Sequence, residues 1–256
     1  MTDIEYPIVQ ADNISHYYRQ GLDSQPVLQG ISLTVKSGEI VAIVGASGCG
    51  KSTLVRLLAG LDRPTAGEIL IAGDPPQQAL AKYAIGLAFQ KPILFPWWTV
   101  LDNILLPIKL RQRRISREDK QQAIAYLTQL GIGNAAPLFP RQLSGGMLQR
   151  AAIARALMGE PKVLMLDEPF SAVDEITREQ LWVDFHQVWR QQHLSVILVT
   201  HSIHEAVFMA DRVLVMSRQE GTIEAEFLIP LGRDRSDDLL DSGEYLKLVK
   251  NIRGSL

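Results

Sequence analysis

The chain has 256 residues, 46% of them hydrophobic and 21% charged, which is the composition of an ordinary soluble globular protein. A net charge of −2 excludes the strongly basic surface through which proteins bind nucleic acid or anionic lipid, so we expect no nucleic-acid partner. A single cysteine excludes an internal disulfide framework and a multi-cysteine zinc site, and no apolar run approaches the roughly 20 residues of a membrane helix.

Strands dominate the predicted first third of the chain. Apolar runs bounded by turn residues predict the strands, and one helix follows a glycine-rich turn. The strands are predicted at residues 6–14, 27–35, 40–44, 68–72 and 82–89, and the helix at residues 54–59.

Helices and strands alternate in the rest of the chain. Ser116 followed by Asp119 predicts a helix start, and Gly131 ends that helix. Further helices are predicted at residues 144–158 and 177–191, strands at 163–166, 195–200 and 212–216, and a polar turn at 233–241 before a last short helix. Apolar strands that alternate with helices favour a parallel sheet covered on both faces.

The most specific motif is a glycine-rich segment that reads Gly45-Ala46-Ser47-Gly48-Cys49-Gly50-Lys51-Ser52-Thr53. It follows an apolar strand and begins a helix, so its backbone N–H groups and the helix N-terminus would converge on phosphate. Lys51 would reach the outer phosphates, and the Ser52 hydroxyl would ligate Mg²⁺. The segment therefore predicts that the chain binds a nucleoside triphosphate.

Two carboxylates end the predicted strand at residues 163–166. Successive strand residues point to opposite sides, so the neighbours Asp167 and Glu168 can take different roles. Asp167 would hold Mg²⁺, and Glu168 would orient or deprotonate the attacking water. Without the glycine-rich segment upstream, the same pattern would also fit a solvated strand end.

A second anion-binding helix end is predicted at residues 144–146. Ser144 is a good N-cap, and Gly145 and Gly146 leave backbone N–H groups accessible at the start of the helix. On these residues alone, a capped helix without a ligand is the alternative.

Taken in chain order, the motifs resemble those of ABC transporter ATPases over residues 9–217. The resemblance rests on the glycine-rich segment followed by Leu143-Ser144-Gly145-Gly146, Asp167-Glu168, Ser171-Ala172-Val173-Asp174 and His201. It implies an α/β fold of the P-loop NTPase (RecA-like) type, with an N-terminal antiparallel β subdomain and a helical subdomain at about 97–158. The whole chain, 1–256, would be one ABC ATPase domain with a short C-terminal tail from about residue 230.

The resemblance also implies ATP hydrolysis, with ATP and Mg²⁺ as cofactors, in a head-to-tail dimer with a second copy or a homologous ATPase. Gln90 would contact Mg²⁺ and sense the γ-phosphate, which His201 would also contact. The helix end at residues 144–146 would bind the γ-phosphate held by the other subunit. Asp174 would cross the dimer interface.

Two sites leave alternatives open, and two positions depart from the family pattern. Tyr18 is predicted to stack on adenine, with Tyr17 as the alternative. Cys49 is either a small residue tolerated in a tight loop or a redox-sensitive thiol. Met147 replaces the usual glutamine and offers only a weak acceptor, while Val173 replaces a common leucine.

The segment at residues 91–104 is rich in proline and carries Phe95, Trp97 and Trp98. Exposed tryptophans favour a partner-binding surface, although large aromatic side chains also pack in cores. In ABC importers this region receives a coupling helix of the membrane permease. Together with Ser-Gly-Gly-Met, the segment resembles the nitrate/sulfonate/taurine group of importer ATPases. The resemblance implies a peripheral protein at the cytoplasmic face of the inner membrane, with a permease as partner and an extracytoplasmic solute-binding protein acting indirectly.

Two other classes of protein share some of these motifs. The ATPase of an exporter or a lipid transporter would keep every catalytic motif, and only the aromatic segment favours import. A soluble ATPase of DNA repair or chromosome structure would carry a long coiled-coil insertion, for which the stretch between Thr53 and Leu143 is too short. The residues do not identify the transported solute.

Overall fold

A computed structural model gives the structure of residues 7–18, 26–111, 114–171, 173, 175–217, 221–232 and 235–256. A three-stranded antiparallel sheet forms the first layer of these residues. Its strands are β1 (Val9–Tyr17), β2 (Pro26–Val35) and β4 (Ala66–Ile71). β1 lies in the centre and pairs antiparallel with both neighbours.

A six-stranded sheet forms the second layer. Its strands are β3 (Ile40–Gly45), β5 (Ile85–Ala88), β6 (Val163–Asp167), β7 (Ser195–Thr200), β8 (Arg212–Met216) and β9 (Ile223–Leu228). Their spatial order is β5-β6-β7-β3-β8-β9, with parallel pairing up to β8 and antiparallel pairing between β8 and β9. Every residue of β3, β6 and β7 is buried, as expected of parallel strands covered on both faces.

The described residues also contain nine α-helices. They are α1 (Lys51–Leu58), α2 (Pro76–Ala81), α3 (Val100–Ile104), α4 (Leu106–Leu110), α5 (Arg117–Gln129), α6 (Gly145–Met158), α7 (Glu175–Gln192), α8 (Ile203–Met209) and α9 (Gly243–Arg253). None of the helices within the described ranges combines the length and the apolar character needed to cross a bilayer.

β3 divides the hydrophobic core because its alternate residues face opposite sides of the sheet. Ile40, Ala42 and Val44 pack in the core that also contains residues of α3 to α8. Val41 and Ile43 pack in the core beneath the antiparallel sheet and α1. The strand that precedes the glycine-rich segment is therefore held by apolar contacts on both faces.

The α/β fold class with an N-terminal antiparallel sheet is confirmed. Two strands were predicted with wrong bounds, and several elements of the structure were not predicted. The strand predicted at 82–89 is only β5, because Tyr83 adopts φ 59° in the turn after α2. The strand predicted at 6–14 is β1, three residues further along the chain. β9 was not predicted, and neither were the short helices α2, α3 and α4.

The capping box predicted for α5 is confirmed. The amide of Asp119 donates to the Ser116 hydroxyl at 3.1 Å, and the amide of Ser116 donates to the Asp119 carboxylate at 2.8 Å. Ser144 likewise caps α6 by accepting from the amide of Met147 at 3.3 Å. Side chains that accept from free N–H groups fix where these two helices begin.

Gly50, immediately before α1, requires glycine for two reasons. Its φ is 101°, and a Cβ there would lie 2.6 Å from Cδ2 of Leu28 and 2.9 Å from the carbonyl oxygen of Val27. Gly73 has a similar φ of 83°, but apart from Gly73 itself and its two chain neighbours no described atom lies within 4 Å of its hypothetical Cβ. Both positions strain the backbone of any other residue, but only Gly50 is also sterically crowded. A comparison of the two therefore distinguishes backbone strain from crowding.

Gly50→Ala is expected to destabilise the chain more than Gly73→Ala. Gly73→Ala bears only the left-handed backbone penalty of about 1 kcal/mol, whereas Gly50→Ala adds overpacking of roughly 1–3 kcal/mol. Chemical denaturation of both variants measures the two losses in free energy of unfolding. Equal losses would contradict the close packing around Gly50.

Glu205 on α8 is a buried carboxyl group, with only 2% of the residue exposed. Burial raises its pKa to about 8, while a hydrogen bond with Thr200 and the positive charge of Arg178 oppose that shift and the nearby Glu168 adds to it. The folded chain therefore retains a proton at pH values where the unfolded chain has released it.

The stability of the chain is expected to fall as pH rises from about 5 to 8 because of Glu205. Over that range the folded state binds the extra proton, so the free energy of unfolding drops by up to about 1.4 kcal/mol per pH unit. Glu205→Gln should remove this part of the slope, and Glu68→Gln, an exposed acid on β4, should not. Denaturation at several pH values measures the slopes, and identical slopes in wild type and Glu205→Gln would contradict the expectation.

Candidate functional site

A cavity of about 520 Å³ lies at the carboxyl ends of the central strands. It is lined by Val27, Ser47, Gly48, Gly50, Lys51, Ser52, Thr53, Gln90, Glu168 and His201. The fold thus brings most of the predicted nucleotide-site residues, from four separate stretches of the chain, into one concave surface. Open α/β sheets commonly bind ligands at this edge.

The glycine-rich segment forms a loop between β3 and α1, as predicted. Gly45 is the last residue of β3, and α1 begins at Lys51 with no side-chain cap among the described residues. The first N–H groups of α1 are thus not capped by a side chain, which is the arrangement of an anion-binding helix end. The Lys51 ammonium donates to the carbonyl oxygens of Gly45 at 2.7 Å and Ala46 at 3.0 Å.

Cys49 is 3% exposed and packs in the loop interior. Its sulfur lies 3.9 Å from Nζ of Lys51. A Cβ at Gly45 would lie 2.8 Å from that sulfur, so the thiol fills the space inside the turn. This packing favours the interpretation of Cys49 as a small residue tolerated in a tight loop.

Ser52 and Asp167 form the pair predicted to hold Mg²⁺. The Ser52 hydroxyl donates to Oδ1 of Asp167 at 3.2 Å. Burial raises the pKa of Asp167, and the contact with Ser52 and the charge of Lys51 act against that rise. Two adjacent oxygen ligands beside a phosphate-binding loop fit Mg²⁺, which prefers oxygen and takes its other ligands from phosphates and water. In the described part of the chain, no group of three His, Cys, Asp or Glu side chains forms a separate metal site.

Glu168 is where the three predicted catalytic residues meet. Nε2 of Gln90 donates to Oε2 of Glu168 at 2.8 Å, and Nδ1 of His201 lies 3.3 Å from the same oxygen. Glu168 directly follows the last residue of β6 and has φ 48°, a backbone conformation that is uncommon for glutamate. The carboxylate is partly buried, whereas the His201 ring is 58% exposed.

Tyr18 contacts the last residue of the glycine-rich segment. The Tyr18 hydroxyl hydrogen-bonds Oγ1 of Thr53 on α1 at 3.3 Å, and its ring is 43% exposed. The edge of the His16 ring supports it at a centroid distance of 4.9 Å. Tyr17 instead belongs to β1, where it pairs with Pro26. The geometry favours Tyr18 as the aromatic side chain available to a base.

The second predicted helix end lies in a different cavity of about 350 Å³. Ser144, Gly145, Gly146 and Met147 line it together with residues that include Val173. A Cβ at Gly146 would lie 3.2 Å from Cγ2 of Val173, so glycine permits the close approach of α6 to this residue. The two cavities share no lining residue, so the residues of one chain do not place this helix end on the phosphate loop. Asp174 and Ala172 lie outside the described residues.

Two contacts between α6 and the segment after β5 were not predicted. Nε2 of Gln149, which is 1% exposed, donates to the carbonyl of Phe89 at 3.0 Å. Nη1 of Arg155 donates to the carbonyl of Ile93 at 2.5 Å. Because Gln90 lies between these carbonyls, α6 fixes the backbone on both sides of it. The only sequence signal for these contacts was a polar residue on a buried helix face, and such a residue does not indicate which group it would bond.

The aromatic segment forms an exposed surface, part of which is bonded to α6 through Arg155 and the carbonyl of Ile93. Trp97 is 68% and Ile93 66% exposed. Phe95 packs against Trp97 and Trp98 at centroid distances of 5.4 and 4.9 Å, and Nζ of Lys109 lies 4.0 Å from the Trp98 ring. The segment is therefore an ordered aromatic cluster with one large face open to solvent.

Asn103 holds the shape of this aromatic cluster. It is fully buried, and its Oδ1 accepts from the amide of Phe95 at 2.7 Å. Its Nδ2 donates to the carbonyls of Phe95, Trp98 and Thr99 at 3.1, 3.3 and 2.9 Å. One amide side chain thus hydrogen-bonds the backbone on both sides of Trp97.

Comparison with known proteins gives consistent family matches. A family model described as ABC transporter matches residues 28–171. The aliphatic sulfonates import ATP-binding protein SsuB 1 of Pseudomonas aeruginosa is 42% identical over 85% of this chain and 86% of its own length. The nitrate import ATP-binding protein NrtD of Synechocystis is 44% identical over 81% of this chain and 77% of its own length.

Solved structures match over most of the chain as well. An ATP-binding cassette solved as a dimer in a post-hydrolysis state, bound to ADP and Pi, aligns with a TM-score of 0.79 and 31% identity. It covers 88% of this chain and 100% of the other. CbiO1 of Clostridium perfringens, described as part of an ABC transporter complex, aligns with a TM-score of 0.75 and 26% identity over 96% of this chain and 95% of its own. The phosphate loop, the carboxylates after β6 and these matches together place the chain in the ABC transporter family, as an ATP-binding protein that hydrolyses ATP.

Proposed function

We propose that this chain is the ATP-hydrolysing subunit of an importer that takes up a small oxyanionic solute of the sulfonate or nitrate type. The solute class is supported by the names of its relatives, which are sulfonate and nitrate import ATP-binding proteins. The hydrolytic role is supported above all by one observation, the meeting of Gln90 and His201 on the same oxygen of Glu168.

The phosphate loop would bind the triphosphate of ATP. The free N–H groups at the start of α1 would point at the phosphates, and Lys51 would exchange its contacts with loop carbonyls for phosphate oxygens. Ser52, Asp167 and Gln90 would hold Mg²⁺, whose charge neutralises the phosphate oxygens during transfer. Tyr18 would cover the adenine ring at the outer end of the cavity.

Glu168 would act on the attacking water as general base or orienting acceptor. In this step a water oxygen bonds to the γ-phosphorus, the bond to the β-phosphate oxygen breaks, and the products are ADP and inorganic phosphate. His201 would hold the γ-phosphate, and Gln90 would sense it through its contact with Glu168. A carboxylate held between two polar side chains is oriented before substrate arrives.

The second cavity would be used by a partner subunit. Because Ser144, Gly145 and Gly146 do not line the nucleotide cavity of their own chain, they would contact the γ-phosphate of a second copy in a head-to-tail dimer. Asp174 would lie across that interface. The dimeric state of a related cassette supports this assembly.

The exposed aromatic cluster would receive a cytoplasmic segment of the membrane permease. Trp97 and Ile93 offer a large apolar face on the proposed helical subdomain at about 97–158. The chain would then lie peripherally at the cytoplasmic face of the inner membrane, and an extracytoplasmic binding protein would deliver the solute to the permease.

Glu168→Gln is expected to abolish turnover and leave ATP binding intact. The amide cannot accept a proton, so hydrolysis should fall by about 10²-fold or more, while the phosphate loop is unchanged. Steady-state ATPase assays and binding of a fluorescent ATP analogue measure the two properties, and size-exclusion chromatography with ATP and Mg²⁺ should show a trapped dimer. Glu68→Gln, on exposed β4, is the matched control and should behave as wild type. Unimpaired hydrolysis by Glu168→Gln would contradict the proposed role.

Trp97→Ala is expected to weaken permease binding while leaving the fold and basal ATP hydrolysis unchanged. Leu228 on β9 is 70% exposed, similar to Trp97, and lies outside the aromatic cluster, so Leu228→Ala is the matched control. Affinity purification of each tagged variant from native membranes measures the amount of co-purified permease. Equal recovery with Trp97→Ala and Leu228→Ala would contradict the docking role, and recovery of an exporter-type permease would contradict import.

A further inference from the structure

A short link between β7 and α8 carries His201. Only His201 and Ser202, here called the His201 turn, lie between the last residue of β7 and the first residue of α8. Ser202 caps α8 by accepting from the amide of Glu205 at 3.2 Å, and its own amide donates to Oγ1 of Thr200 at 3.0 Å. Because the link is so short, the position of His201 depends on where α8 lies.

Tyr245 on α9 is bonded to the first turn of α8. Its hydroxyl donates to the carbonyl oxygen of His204 at 3.0 Å and lies 3.1 Å from Nδ1 of the same residue. Tyr245 is 1% exposed, and Ser242 fixes its backbone by accepting from its amide at 3.2 Å. The C-terminal helix is therefore attached to α8 at a residue that lies three positions after His201.

Arg235 is bonded to the other end of α8. Its Nη1 donates to the carbonyl of Val207 at 3.2 Å and to the carbonyl of Phe208, and its Nη2 donates to the carbonyl of Ala210 at 2.9 Å. The last carbonyls of a helix lack partners within the helix, so a buried guanidinium that donates to them caps this end. Arg235 and Tyr245 thus hold α8 at both ends from the same C-terminal stretch.

Packing alone does not explain the hydroxyl of Tyr245. A phenylalanine would fill nearly the same space, and burying a hydroxyl is unfavourable unless it is hydrogen-bonded. The His204 carbonyl does not need this donor, because a carbonyl in the first turn of a helix normally accepts from the amide four residues further on. The contact therefore fixes where the first turn of α8 lies relative to α9.

We infer that Tyr245 is a positioning residue for ATP hydrolysis. Together with Arg235 it holds α8 in the place from which the His201 turn reaches the catalytic carboxylate. Nδ1 of His201 lies 3.3 Å from Oε2 of Glu168, and a displacement of about 1 Å can lower a rate by about 10²-fold. Neither Tyr245 nor Arg235 lines the nucleotide cavity, so their effect would act through α8. The inference rests on the proposed catalytic roles of Glu168 and His201.

The first test removes one hydroxyl at a time. We expect Tyr245→Phe to lower kcat about tenfold, with KM for ATP within about twofold of wild type. Tyr126→Phe is the matched control, because Tyr126 is also buried and its hydroxyl donates to Oε1 of Gln192 at 3.2 Å, between α5 and α7. Its kcat should stay at the wild-type value. Steady-state ATPase assays on the purified chain measure both constants, and thermal melting by circular dichroism shows that each variant is folded.

The second test observes the His201 ring without turnover. The chain has five histidines, so labelling them with carbon-13 gives few ring signals in NMR spectra, and His201→Ala identifies the one from His201. Glu168→Gln should shift that signal, because it removes the charge beside the ring. Tyr245→Phe should shift the same signal in the nucleotide-free chain, and Tyr126→Phe should leave it unchanged. A tyrosine that only stabilised the fold would not move it.

Wild-type kcat in folded Tyr245→Phe would overturn the inference, and so would an unshifted His201 signal in that variant. An equal loss of kcat in Tyr126→Phe would also overturn it, since the effect would then follow from losing any buried hydrogen bond. Glu168→Gln separates the two levels of failure. Normal hydrolysis by Glu168→Gln would show the proposed catalytic roles to be wrong, whereas an inactive Glu168→Gln beside a fully active Tyr245→Phe would overturn only the positioning role.

Discussion

The parallel pairing of β3, β6 and β7 is the constraint on which the nucleotide cavity depends. Parallel strands bring their carboxyl ends to one edge, and here that edge carries Gly45, Asp167 and Thr200 as the last residues of the three strands. The register pairs Val44 with Thr200 and Asp167 with Val199. The phosphate loop, the carboxylates and the His201 turn therefore begin at one level. A shift of one residue would reverse every side chain of a strand and separate these groups.

α6 is the second element on which the proposed mechanism depends, because three functional regions are attached to it. Its N-terminus presents Ser144 to the second cavity, and its side chains hold the carbonyls of Phe89 and Ile93. Burial lowers the pKa of the Arg155 guanidinium. The same group donates to the carbonyl of Ile93. α6 therefore contacts the backbone on both sides of Gln90 and also carries the Ser144 helix end.

The parts of the site that the sequence predicts are those in which a few consecutive residues encode the chemistry. The loop from Gly45 to Thr53, the Asp167–Glu168 pair and the capped helix end at Ser144 each follow or begin a recognisable element, so their positions could be predicted. Tyr18 was chosen over Tyr17 by resemblance, and the hydrogen bond to Thr53 supports that choice.

The contacts that join these motifs could not be predicted, because each depends on residues far apart in the sequence. Gln149 bonds a carbonyl 60 positions away, and Arg155 bonds one 62 positions away. β9 was missed for a related reason: it is a half-exposed edge strand, and its pairing with β8 defines it more clearly than its composition. Short helices such as α3 and α4 carry too few residues for a periodic pattern to emerge.

The most direct measurement is a structure of the Glu168→Gln chain with ATP and Mg²⁺. The composite-site arrangement predicts two copies related head to tail, with each γ-phosphate held between Lys51 of one copy and the Ser144–Gly146 helix end of the other. Gln90, His201 and residue 168 of the first copy should surround the same phosphate. A nucleotide bound by one copy alone, with Ser144 of both copies facing solvent, would contradict the arrangement.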